Sequence, residues 1–133
     1  MMKALLSIKP EFVEKIMSGE KLFEYRKAVF KRPEVTSVVI YSTMPEGKIV
    51  GEFEIGSILK NHPEDLWKET KKDSGIKKQF FDMYFSDREI AYAIQIKQFK
   101  KYDIPIDPYE VEPNFKAPQS FKYIDSASNL CMN

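Results

Sequence analysis

Cysteine and histidine are nearly absent from this chain, with Cys131 and His62 the sole examples. One thiol cannot form an intrachain disulfide, and nothing points to an oxidising compartment. Cys131 reads as a free thiol on the tail, and His62 as a helix-start or surface residue. With one Cys and one His there is no cluster of soft or imidazole ligands, which argues against a structural zinc site, and no cofactor is expected. Net charge is also lacking: 21 basic and 20 acidic residues leave +1. The chain as a whole therefore has no field to gather polyanions, and any nucleic-acid binding must be local. No apolar run approaches the roughly 20 residues of a membrane span. The opening MMKALLSIKPEF meets charge and proline too early for a signal peptide, so a cytoplasmic monomer with no membrane partner is expected.

What is present is enough for one core. The 133 residues are 43% hydrophobic and 14% aromatic, with ten Phe and seven Tyr, the size and composition of a single domain. We expect that domain over residues 1–124, with 125–133 as a frayed tail. Met2 to Ile8 reads as a buried strand broken by Lys9-Pro10. A helix follows, with Pro10 at its first position, Phe12, Val13, Ile16 and Met17 on one face, and Gly19 as a left-handed stop. KLFEYRKAVF has period two, with Phe23 and Tyr25 on one face and Glu24, Arg26 and Ala28 on the other. Val35 to Thr43 is a third strand and KIVGEFEIGSIL a fourth, in which Gly51 marks a bulge, a bend or a close approach.

From Asn61 to Phe85 the pattern is helical: PEDLWKET, then Ile76, Phe80 and Tyr84 at i, i+4 and i+8, which predicts that Phe80 and Tyr84 pack on the sheet. Ile90 to Phe99 returns to period two, and the proline-rich remainder is expected to be extended, ending in the apolar FKYI. There is no internal repeat and no Gly/Ser-rich linker. The order implies an α+β domain around a curved, mostly antiparallel sheet, with bulge signals for closure into a small barrel.

The informative segment is Gly19-Glu20-Lys21-Leu22-Phe23-Glu24-Tyr25-Arg26, which sets alternating charges at a helix-to-strand turn and on the strand behind it. Unpaired buried charge costs several kcal/mol, roughly 3 to 5 when a buried partner is removed, so these charges need solvent or a cleft. A solvated Glu-Arg pair on an edge strand is the competing reading. The segment resembles, at all four positions, the G-x-K-x-x-E-x-R signature of the ASCH domain family. The opening LLSIKPEFVEKIMSGEK, the strand end Tyr41-Ser42-Thr43, KIVGEFEI and APQSFKYI are also similar to that family.

The resemblance implies a PUA-like barrel with the signature on a cleft floor, and a partner that is RNA or a modified nucleoside. In such a cleft Lys21 and Arg26 are donors to phosphate or carbonyl groups, Arg26 in bidentate fashion, and Glu24 accepts from a base amino group. Lys9, Ser42 and Thr43 add candidate contacts, against which stand plain turn or capping roles. Gln119 and Ser120 are singled out by the resemblance alone, as one wall. Tyr25, Tyr41 and Tyr92 could stack on a base, but core packing is the favoured reading, with Tyr25 and Tyr92 in period-two positions like ordinary barrel-filling residues.

Three functions compete. The first is a binding module for an RNA nucleotide. The second is an amidohydrolase acting on acetylated cytidine, as some ASCH-like proteins are, with Lys21 and Glu24 as its catalytic pair. Those enzymes carry threonine where this chain has Glu24, and their further glutamate has candidates here in Glu64, Glu69 and Asp73. The third treats the two helices as a helix-turn-helix with Lys71, Lys72, Lys77 and Lys78 toward DNA phosphates; the resemblance separately implies a regulatory interaction module of transcription or translation as a further alternative. The aromatic second helix speaks for a lid or plug instead.

Overall fold

The computed structural model describes residues 1–132. Its strands are β1 (Met2–Ile8), β2 (Phe23–Arg26), β3 (Ser37–Ser42), β4 (Lys48–Asn61), β5 (Ala91–Ile106) and β6 (Phe121–Asp125). The helices are α1 (Pro10–Met17), α2 (Pro63–Thr70), α3 (Lys78–Tyr84) and α4 (Pro108–Val111), and one 3-10 turn, Lys71–Asp73, follows α2. Together the strands form one mixed sheet in the order β2-β5-β4-β3-β1-β6. The β1–β3 pair is parallel and the other pairs are antiparallel.

Strand parity divides the interior. On one side of β1 and β3, Ala4, Leu6, Ile8, Val38 and Ile40 meet Val13 and Ile16 of α1. On the other, Leu5, Val39 and Tyr41 meet Tyr102, Phe115 and Ile124. All six residues of β3 are buried, because both its faces are covered. A third cluster joins Tyr25 of β2 to Leu66 of α2, Phe81 and Phe85 of the α3 segment, and Ala91 and Ala93.

Several sequence expectations need correction. The sheet is open: no ladder joins β2 to β6, so hydrogen bonding does not close a barrel. The first helix buries Val13 and Ile16 while Met17 is exposed. β5 runs seven residues past Phe99, to Ile106, because successive bulges against β4 carry the pairing around the bend. One bulge lies at Gly51, where a Cβ would sit 2.6 Å from the Lys100 carbonyl oxygen, so the glycine serves a close approach. Residues 125–132 dock rather than fray, and Asn133 lies outside the described residues: Leu130 and Cys131 are buried in the second cluster, and the Met132 N–H donates to the Tyr102 hydroxyl at 3.2 Å. Tyr102 in turn donates to Glu52 at 2.7 Å, beside the Lys3–Glu52 ion pair. Burial pushes the Cys131 thiol upward, which keeps it a packing group. His62 caps α2, its Nδ1 accepting from the Glu64 N–H at 3.2 Å. Among the described residues no helix is long and apolar enough to cross a membrane.

Candidate functional site

A cavity of about 260 Å³ opens where the two free sheet edges face each other, lined by Glu24, Tyr25 and Arg26 of β2 and by Gln119 ahead of β6. The end of β1 adds Ser7, Ile8 and the following Lys9, α1 adds Phe12, and the helical insertion adds Ile76, Phe80 and Tyr84.

Lys21 reaches the floor from the turn that ends α1. Gly19 (φ +83°) turns the chain there, the Lys21 N–H donates to the Lys15 carbonyl at 3.0 Å, and the Leu22 N–H donates to the Asp73 carbonyl at 2.9 Å. These bonds hold the lysine between α1 and the insertion. Its side chain is 2% exposed and donates to the Ser74 carbonyl at 3.2 Å, with the ammonium 4.8 Å from the Tyr25 ring centroid. Glu24 Oε1 stands 3.9 Å away, an ion pair too long for a hydrogen bond. Burial lowers the Lys21 pKa and Glu24 opposes that shift. Gly75 (φ +66°) lies against this side chain so closely that a Cβ there would be 2.5 Å from Lys21 Cβ.

Glu24 and Arg26 lie opposite Ile94 and Tyr92 on β5 and share the face their spacing implied. Arg26 Nη1 donates to Glu24 at 3.1 Å and to the Ser7 carbonyl at 3.3 Å, and Nη2 donates to the Ser120 carbonyl. The guanidinium thus ties β2 to β1 and to the lead-in of β6, across the gap that no ladder spans. Three of the five guanidinium N–H donors are thus taken by the protein's own oxygens, and Arg26 still lines the cavity.

Ser42 and Thr43 lie outside the cleft. Ser42 is wholly buried at the end of β3, its hydroxyl without a hydrogen-bond partner among the described residues. Thr43 serves a turn, its N–H donating to the Ile8 carbonyl and its carbonyl accepting from Glu46 and Gly47. Ser120 contributes its carbonyl, not its hydroxyl. Of the further acidic candidates, Glu64 pairs with Lys78 at 3.6 Å, Glu69 accepts from Asn61 at 2.8 Å, and Asp73 presents its carbonyl to Leu22; none lines the cavity. Tyr41 and Tyr92 are likewise absent from its walls, whereas Tyr25 contributes to both wall and core. Burial raises the Tyr25 phenol to about 12 against the opposing hydrogen bond with Thr70, 2.7 Å away.

Sequence reasoning did not single out Ser7, Ile8 and Phe12 as site residues, although they lie in the opening LLSIKPEFVEKIMSGEK that is similar to the family. For Ile76, Phe80 and Tyr84 it found the shared face and assigned it to the sheet. That face lines the cavity: Phe80 is 37% exposed, while the adjacent Phe81 is 1% exposed and packs on Tyr25 with ring centroids 5.1 Å apart.

The ASCH domain model matches residues 6–101. An ASCH domain-containing ribonuclease of Zymomonas mobilis is 27% identical over 128 residues, covering 92% of this chain and 84% of that protein. The crystal structure of ASCH from Zymomonas mobilis superposes with a TM-score of 0.85 at 26% identity, over 93% of this chain and 88% of the other. A Ureaplasma parvum large ribosomal subunit protein uL22 is 33% identical over 91 residues, 68% of this chain. The aligned part spans only 29% of that ribosomal protein's length. The match over residues 6–101, which contains the whole Gly19–Arg26 signature, establishes that the chain belongs to the ASCH domain family.

Proposed function

We propose that the cleft holds one RNA base or nucleotide, with Lys21 and Glu24 meeting its polar edge and the aromatic wall meeting its face. The observation that carries this is the pair of buried, incompletely satisfied charges on the floor. Lys21 Nζ has three donors and one hydrogen-bonded protein acceptor within reach, and Glu24 Oε1 stands 3.9 Å from it. Buried polar groups seek partners, so a ligand offering an acceptor beside an amino or imino donor suits this floor. At about 260 Å³ the cavity falls just below the usual range of small-molecule pockets, roughly 300–1,000 Å³, which suits a single base and not a duplex. The name of the Zymomonas relative, a ribonuclease, supports RNA as the source of that base. In this reading the open sheet is a PUA-like scaffold, and the protein acts as a monomer in the cytoplasm.

A second reading, hydrolysis, draws on the lowered pKa of Lys21, since an amine acts as a base only when it has lost its proton. The carboxylate of Glu24 favours the charged amine, and an enzyme of the acetylcytidine type has threonine there, so turnover of acetylcytidine is expected to be weak or absent. The test compares wild type, Lys21→Ala and Glu24→Thr for nucleoside binding by ligand-detected NMR and for turnover of RNA and acetylcytidine. Binding without turnover, lost in Lys21→Ala, supports the module. Robust wild-type turnover abolished by Lys21→Ala replaces it with the hydrolase.

A further inference from the structure

We propose that a second cavity, across α1 from the cleft, binds a small organic cation: an ammonium or guanidinium group carried on an apolar body. The helix separates two spaces. Phe12 lines the cleft, whereas Pro10, Val13 and Met17 line a cavity of about 270 Å³ that Val50 of β4 and Pro105 of β5 close from the sheet side. This space originates in the strand register. Between the Gly51–Lys101 and Ile49–Ile106 pairs, β4 advances two residues while β5 advances five, so β5 loops out as a wide bulge and does not pack flat on its partner. Pro105 suits that loop, because it has no N–H to leave unpaired.

The walls are apolar and the mouth is charged. Val13 and Val50 are buried members of the first cluster and form the floor, while Met17 keeps 36% of its surface exposed at the edge. Glu14, Glu46 and Lys101 also line the cavity, and all three are exposed. Among the described residues none of them has an ion-pair partner, whereas Glu20, Glu52, Glu64 and Glu112 each pair with a lysine. Two carboxylates against one ammonium leave one negative charge uncompensated. A ligand complementary to this site therefore carries a single positive charge, with its apolar body against Met17 and the two prolines. An anion would meet one lysine and two repelling carboxylates. Low-dielectric walls strengthen that preference, because they focus the field of the charges at the mouth. The volume is close to that of the cleft, so one small molecule fills it.

The experiment uses phenethylamine as the probe and compares it with phenethyl alcohol and phenylacetate, which keep the apolar body and change the charge. Binding is followed through the methionine methyl resonances of methyl-labelled protein, with the Met17 signal assigned by its loss in Met17→Leu. The cleft lining contains no methionine, so a saturable shift of Met17 reports this cavity and is independent of nucleotide binding. We expect phenethylamine to shift Met17 and to bind about fivefold tighter than the alcohol, as one ion pair allows, with phenylacetate weaker still. Glu14→Gln and Glu46→Gln should each weaken the amine by about two- to fivefold and leave the alcohol unchanged, while Lys101→Gln tightens the amine. Equal affinity for the three probes, or tighter binding of phenylacetate, overturns the assignment of a cation to the site. A Met17 signal that no probe moves up to its solubility limit overturns the site itself.

Discussion

Phe80 and Phe81 are neighbours in the chain and opposite in role. Phe81 packs edge-on against Tyr25 and sits against Trp67 with centroids 4.9 Å apart, joining α3 to β2 and α2. Phe80 meets Phe12 across the cavity at 5.1 Å and leaves part of its ring in solvent. The same helix thus builds core with one face and wall with the next. An apolar helical period identifies which residues share a face, and leaves open whether protein or ligand covers it.

The comparison is sharpest in stability. Phe81→Ala is expected to cost about 3–5 kcal/mol, as aromatic-to-alanine changes in cores do, whereas Phe80→Ala costs about 1 kcal/mol or less. Urea titrations followed by circular dichroism measure both, and equal losses would dissolve the distinction between the two faces. In binding the order reverses, because Phe80→Ala removes a stacking face worth about 1–3 kcal/mol per base.

Arg26 extends the contrast to the strand side of the cleft. Removing it leaves Glu24 without its close cationic partner, and breaking a buried ion pair costs about 3–5 kcal/mol. Arg26→Ala is expected near the lower end of that range, because the guanidinium keeps slight contact with solvent. Arg26→Lys recovers little of the loss, since an ammonium cannot reach in three directions from one plane. Gly75→Ala comes next: a left-handed backbone costs about 1–2 kcal/mol for a residue with a Cβ. That Cβ would also press on Lys21, so loss of ligand binding should exceed the loss of stability.

The smallest effect is the pH dependence of Lys21. Its folded pKa lies below that of the unfolded chain, so between the two values the unfolded state binds more protons and stability rises with pH. Tyrosines with raised pKa contribute the opposite sign above about 10, so the measurement is the difference between wild type and Lys21→Met, in which they cancel. Wild type should gain on the variant as pH climbs toward about 10.4, and a flat difference would mean that the amine is solvated.

Much of this molecule follows from local rules. Pro63 and its cap set the start of α2, Gly19 the end of α1, Gly51 a close strand approach, and strand parity the common face of Glu24 and Arg26. Each depends on a few adjacent residues and on backbone sterics. Four matters were settled only by tertiary structure: the oxygens that occupy Arg26, the docking of Leu130 and Cys131, the burial of Ser42, and the choice between Phe80 and Phe81 as core. Arg26 meets carbonyls 19 and 94 residues away in the chain, and no periodicity encodes such a pairing. It arises where a bulged, open sheet brings its two edges together, and that curvature sums small backbone deviations over many residues.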